Sequence, residues 1–243
     1  MKAYLVAAGK FHDIDFARLE LLKLLAELPH IRTNVAHDYS DIETICGSQI
    51  LISYTCDVVP TPAQTEGLKR FLEGGGKWLA LHGTNSILRF GDDGIVDCPN
   101  EAPAFMDLLG TAFAAHPPIE PYKVHVTRAD HPLTAGLRDF NIEDELYLSR
   151  RTAEIDVLLH TVFHGACPEF RAKEWKEDQV PVLYLRKVGK GAVLYLTLGH
   201  CRGHYDLQPI RNFNPHPQRC AWNYPIYYEL LRRALRWSQT SEM

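Results

Sequence analysis

Three histidines stand where an α/β chain usually does its chemistry. His82 closes the apolar run Trp78-Leu79-Ala80-Leu81 and is followed at once by Gly83. His12 comes shortly after the apolar segment Lys2–Ala8, and His200 follows Ala192–Leu198 across Gly199. Short apolar runs without helical periodicity, bounded by glycine or polar residues, predict buried strands. In an open parallel sheet ligands bind beyond the carboxyl ends of the strands, so three such ends can bring three imidazoles into one cleft. Imidazole titrates near neutrality and suits general acid or base catalysis; it is also a common ligand of divalent metals. The competing reading of each histidine is a side chain that ties down a loop. A carboxylate can join them from Glu143-Asp144-Glu145-Leu146-Tyr147. Three adjacent acids often mark a solvated turn, but the apolar Leu146 and Leu148 directly after them predict that at least one is carried inward.

Other candidate motifs dissolve on inspection. Gly74-Gly75-Gly76-Lys77 lacks the spacing and the Ser/Thr of a phosphate loop, and it follows a helix instead of a strand, so it reads as a helix stop. Ala7-Ala8-Gly9-Lys10 is no dinucleotide fingerprint, so no dinucleotide cofactor is expected. His200 and His204 have the spacing of a helical metal pair but lack the intervening glutamate, and Gly203 argues against a helix there. His116-Pro117-Pro118 and His131-Pro132 are conformationally stiff; they suit a loop over a cleft or surface turns, and for His131 the turn is preferred. Six scattered cysteines without C-x-x-C read as reduced thiols buried as small apolar residues, and imply a cytoplasmic protein.

The elements that must position these groups alternate. Strands are predicted at Lys2–Ala8, Ile31–Ala36, Gln49–Tyr54 and Trp78–Leu81, with helices at Ile14–Leu28 and from Thr61-Pro62 to Glu73 between them. That rhythm predicts a parallel sheet covered on both faces. Farther on, Glu101–Leu109 reads as a helix closed by Gly110, and Tyr122–Val126 and Ile155–Thr161 as strands. Val182–Val188 and Ala192–Leu198 form a hairpin around Gly189-Lys190-Gly191, and Pro225–Trp237 is an amphipathic helix. The aromatic group Trp222, Tyr224, Tyr227 and Tyr228 either stacks on sugar rings, packs this helix, or makes a homo-oligomer contact. No linker or repeat divides residues 1–243, so one domain is expected. A net charge of −4 without a basic block speaks against nucleic-acid or anionic-membrane partners. No apolar run has the length of a spanning helix.

Taken together in order and spacing, several of these segments resemble the ThuA-like family, named for trehalose utilisation. They are His12-Asp13, Gly74-Gly75-Gly76 with Leu81-His82-Gly83, His116-Pro117-Pro118, His131-Pro132-Leu133-Thr134-Ala135-Gly136-Leu137, Asp144-Glu145-Leu146-Tyr147, and Gly189-Lys190-Gly191 leading to Thr197-Leu198-Gly199-His200. The resemblance covers nearly the whole chain and implies a three-layer αβα sandwich with a mostly parallel, flavodoxin-like sheet, similar to class I glutamine amidotransferases. In those enzymes a nucleophilic cysteine sits on the turn after a central strand; here His82 takes that position, which removes the thiol needed for glutamine hydrolysis.

The resemblance further implies a carbohydrate substrate and a functional link to a dehydrogenase that makes 3-keto sugars. The hydrogen beside such a carbonyl is acidified, so the expected chemistry is enolisation leading to isomerisation, epimerisation or elimination. His82 and Glu145 are the candidate acid and base, His12 and His200 polarise the carbonyl or hold the sugar, and Asp13, His116, Asp144 and Tyr147 are candidates to bind substrate. A divalent metal, zinc or manganese, and a metal-free acid/base cleft are the two alternatives for the same residues. Two further functions stand beside this one: a non-catalytic carbohydrate-binding or accessory protein of a sugar-utilisation pathway, and a hydrolase using Cys201.

Overall fold

The computed structural model describes residues 1–204 and 216–240. The first half has the expected alternation. Strand β1 (Lys2–Gly9) leads to helix α1 (Ile14–Ala26), whose first turn is capped by the Asp13 carboxylate accepting from the Phe16 amide. Strand β2 (Arg32–Ala36), helix α2 (Ile42–Cys46) and strand β3 (Ile50–Cys56) follow. Helix α3 (Pro62–Glu73) starts on a reciprocal capping box between Thr61 and Gln64 and stops at Gly74. Strand β4 (Lys77–Leu81) then delivers a single 3₁₀ turn, His82–Asn85.

The second half holds more strands than its sequence announced. Strands β5 (Arg89–Phe90) and β6 (Val96–Asp97) make a small hairpin, and helix α4 (Pro103–Leu109) ends on Gly110 in the left-handed region. Strands β7 (Thr111–Ala115), β8 (Glu120–Val126), β9 (Phe140–Asp144) and β10 (Leu148–Arg151) come next. Strands β11 (Asp156–Ala166), β12 (Glu174–Val188) and β13 (Gly191–Leu196) precede helix α5 (Pro225–Trp237). The acidic segment expected as a turn or an inward excursion is the end of β9, where Asp144 and Glu145 are both buried.

One nine-stranded sheet runs β2-β1-β3-β4-β13-β12-β11-β8-β9. Its first five strands are parallel, and the other four are joined antiparallel. Side chains alternate across it. Ala3, Leu5, Ile52 and Leu79 pack with Leu21 and Leu24 of α1 and Leu231 of α5, whereas Tyr4, Leu51, Trp78 and Tyr195 pack with Leu68 and Phe71 of α3 and Phe105 of α4. This is the three-layer sandwich, with Trp222 and Tyr227 buried in the first of those layers as packing for α5. Five cysteines are buried; Cys46, expected inside, is exposed at the end of α2. Among the described residues no helix is long and apolar enough to cross a membrane.

Because β1, β4 and β13 point the same way, their carboxyl ends lie along one edge, and Gly9 sits at that edge with φ of 111°, in register with Cys56 of β3. A Cβ on Gly9 would fall 1.9 Å from the Cys56 carbonyl oxygen, which the paired strand holds in place. Gly9→Ala is therefore expected to lower stability by about 2–4 kcal/mol in urea unfolding; an unchanged midpoint would contradict this packing.

Candidate functional site

The sharp turns after these strands set the site. His82 has φ of 42°, a conformation that strains a non-glycine residue by about 1–2 kcal/mol and lifts its ring off the end of β4. Its backbone is fixed by the Tyr195 hydroxyl, which donates to the His82 carbonyl at 2.6 Å. His200 follows Gly199, whose φ of 126° lets the chain turn at the end of β13. The Gly199 carbonyl is held from two sides, by the Tyr54 hydroxyl at 2.8 Å and the Trp222 indole N–H at 2.9 Å. The Asp144 carboxylate then accepts from the Gly199 amide at 2.6 Å and the His200 amide at 3.0 Å, joining the end of β9 to the end of β13. That bond places the next residue, Glu145, among the histidines.

Glu145 is the centre. Its Oε2 lies 3.2 Å from His200 Nδ1, 3.4 Å from His82 Nε2 and 3.9 Å from His12 Nε2, while its Oε1 lies 3.3 Å from His116 Nε2. His82 Nε2 and His12 Nε2 are 2.9 Å apart. The far nitrogen of every ring faces an oxygen: His12 Nδ1 the Lys10 carbonyl at 3.2 Å, and His82 Nδ1 the Thr197 carbonyl at 2.8 Å. His116 Nδ1 faces the Pro117 carbonyl at 2.8 Å, and His200 Nε2 the Gln218 side-chain oxygen at 2.9 Å. Ligand atoms of His12, His82, Glu145 and His200 all fall within 4.8 Å of one another, a donor set able to hold a divalent metal. Burial drives the His12 imidazolium down to about 3. For Glu145 burial alone would raise the pKa, but the nearby His116 and His200 outweigh it and hold the carboxyl well below its usual range. Burial would likewise lower His200, and the Glu145 charge reverses that into a rise. Asp144 is pushed up to about 6 by burial, opposed by nearby His82 and the amides it accepts from.

A cavity of about 700 Å³ opens onto this cluster, within the ~300–1,000 Å³ range of small-molecule sites. Its walls include His12, His116, Glu145 and Tyr147, with Phe11, Phe113 and Phe170 supplying aromatic surface and Arg202 and Gln218 polar groups. His82 and His200, both fully buried, form the layer beneath. The four substrate-binding candidates therefore divide. His116 and Tyr147 face the cavity. Asp13 does not line it; its carboxylate caps α1 and pairs with Arg219 at 2.9 Å, and Asp144 is spent on backbone amides. Sequence reading missed Arg202, Gln218 and the phenylalanines. Arg202, two residues after His200, carried the only local signal; its buried Nε has no hydrogen-bond partner among the described residues.

Cys201 is beside His200 but turned away from the cavity. Its thiol lies 3.1 Å from the Tyr54 hydroxyl and 3.5 Å from the Asp13 carbonyl, and burial pushes it up to about 12. A thiol so placed is no nucleophile.

Comparison with known proteins agrees with this architecture. The family model ThuA, described as trehalose utilisation, matches residues 8–214. A putative ThuA-like protein from Parabacteroides merdae superposes with a TM-score of 0.71 at 14% identity, covering 100% of this chain and 91% of its own. Another from Bacteroides uniformis gives 0.66 at 19% identity, covering 98% and 91%. A putative GMP synthase component from Thermoplasma acidophilum, with a TM-score of 0.50 at 12% identity and coverage of 98% and 96%, shares the amidotransferase-like fold. No curated protein matches the chain.

In the native protein, iodoacetamide is expected to label Cys46 and leave Cys201 unmodified, as read by peptide mass spectrometry. Rapid labelling of Cys201 would contradict the burial described for it.

Proposed function

The chain belongs to the ThuA family of trehalose utilisation, and from that premise we propose that it is a sugar-utilisation enzyme that enolises a 3-keto sugar or 3-keto glycoside. The observation that carries the reading is the buried Glu145 carboxylate, ringed by four imidazoles at the floor of a cavity with aromatic walls. Aromatic faces suit the apolar face of a sugar ring, and Arg202 and Gln218 suit its hydroxyls.

The proton-transfer role falls to His116 in preference to His82, since His116 faces the cavity and His82 lies beneath it. With its Nδ1–H given to Pro117, His116 presents the Nε2 lone pair, and Glu145 Oε1 is placed to stabilise the imidazolium that forms. The C2–H bond breaks toward His116, its electron pair becomes the C2–C3 double bond, and the carbonyl pair moves onto oxygen. Arg202, which lines the cavity, is the positive group that would stabilise that oxygen as its negative charge develops. The proton on His116 then returns to carbon, giving an isomer or epimer, or passes to the C1 oxygen as the C3 carbonyl re-forms, the C2–C3 pair becomes a C1–C2 double bond and the C1–O bond breaks. The reading takes a dehydrogenase as the source of the keto sugar and a cytoplasmic setting, supported by six unpaired cysteines.

Incubation with 3-keto-trehalose or a 3-keto-glucoside in D₂O is expected to put deuterium beside the carbonyl faster than in the protein-free control, followed by proton NMR. His116→Ala should slow this by about 10²–10⁴-fold with the fold intact. Saturable sugar binding without exchange would instead favour a carbohydrate-binding role.

A further inference from the structure

The polar atoms around Glu145 crowd one buried point. A carbonyl oxygen only accepts, so His12 and His82 each carry their proton on Nδ1, where the Lys10 and Thr197 carbonyls take it. His200 Nε2 faces the Gln218 side-chain amide at 2.9 Å, which accepts from it in the neutral tautomer that leaves Nδ1 bare. Each neutral ring then turns a bare lone pair inward: Nε2 of His12, Nε2 of His82 and Nδ1 of His200. In that arrangement three acceptors meet a fourth, the Glu145 carboxylate, at one point that a cation would satisfy. The two Nε2 atoms stand at 2.9 Å, a separation at which facing lone pairs repel unless something positive lies between. Among the described residues the buried His200 Nδ1 makes no well-directed hydrogen bond, although a Glu145 carboxylate oxygen lies 3.2 Å away.

We propose that His12, His82, His200 and Glu145 bind one divalent transition-metal ion of the zinc type. Ligands at the ~2.0–2.1 Å typical of zinc stand about 3.3 Å apart at the corners of a tetrahedron. Four of the six separations among the ligand atoms are 2.9, 3.2, 3.4 and 3.9 Å, around that edge, and all six are within 4.8 Å. Three imidazoles and one carboxylate select zinc, cobalt, iron or nickel over magnesium or calcium, which want oxygen. The carbonyl and amide oxygens behind the rings are the outer partners that metal-binding histidines characteristically have, fixing tautomer and ring orientation. His12 and Glu145 border the cavity while His82 and His200 lie below it, so a substrate oxygen could reach the ion only from the cavity side, as a fifth ligand or in place of one of the four. A bound ion supplies a Lewis acid for a carbonyl oxygen. His116 stays outside the set, its Nε2 on the other oxygen of Glu145. The inference shares its residues with the keto-sugar reading but does not require it.

The test uses the full chain, dialysed against a chelator and then titrated by calorimetry with Zn²⁺ alone, and in parallel with Co²⁺ followed by visible absorption. One equivalent of Zn²⁺ is expected to bind with a Kd below micromolar, Co²⁺ should show ligand-field bands, and Mg²⁺ should give no heat. His82→Ala and His200→Ala should each weaken Zn²⁺ binding at least tenfold, whereas His116→Ala should keep the full equivalent, with circular dichroism reporting the fold of each. Absence of a stoichiometric high-affinity Zn²⁺ event in the wild-type chain overturns the inference without reference to any variant. Unchanged binding in folded His82→Ala and His200→Ala overturns it as well, because the ion would then sit on other histidines. Keto-sugar exchange by a chain that binds no metal would refute this inference and leave the enolisation reading standing; stoichiometric metal without exchange would do the reverse.

Discussion

A carboxylate with almost no access to water needs positive charge or hydrogen-bond donors around it, and for Glu145 that need falls on the side chains that surround it. Its neighbours are four imidazoles whose outer nitrogens are each committed to an oxygen. The site is therefore a concentration of electron pairs, and much of the surrounding structure exists to hold it that way. Asp144 fixes the amides before His200, Tyr195 fixes the carbonyl of His82, and Tyr54 with Trp222 fixes the carbonyl of Gly199. Each is a buried polar group already satisfied in its own right, so none is available to neutralise Glu145. A divalent cation held by these side chains, as proposed above, would meet the need of Glu145 and would supply a Lewis acid.

The fold meets the geometric side of this with ordinary devices. Parallel strands β1, β4 and β13 stop along one edge of the sheet, and each is followed by a turn in which a glycine or a strained residue reverses the backbone. The antiparallel half of the sheet contributes the carboxylate. Placing the acid on a different part of the chain from the histidines means that the site is assembled only when both halves of the sheet are formed. The division of Glu145 into two functional oxygens follows from the same placement: Oε2 faces the inner cluster and Oε1 faces His116 at the cavity.

The parallel half of this arrangement was legible in the sequence. Apolar runs ending in Gly9, His82 and Gly199-His200 marked the strand ends, Thr61-Pro62 marked the start of α3, and Gly74 its end, because those signals are local. The destination of Glu145 was not legible. Nothing near Glu143-Asp144-Glu145 records that Asp144 will bond the backbone of Gly199 and His200, residues far along the chain. Residues 111–151 likewise gave weak signals, since β7, β9 and β10 are short strands whose pairing depends on distant partners. Asp13 beside His12 invited a binding role, whereas its helix-capping geometry is the commoner use of that residue type.

The proposed cation site predicts the protonation pattern of these histidines, which nitrogen-15 NMR of histidine-labelled protein reads directly. Long-range correlations from the ring carbons should show His12, His82 and His116 carrying their proton on Nδ1, with a bare or metal-bound Nε2, and His200 with the opposite pattern. Nε2–H tautomers at His12 and His82, or an Nδ1–H at His200, would mean that the cluster satisfies itself with protons and has no need of a metal ion.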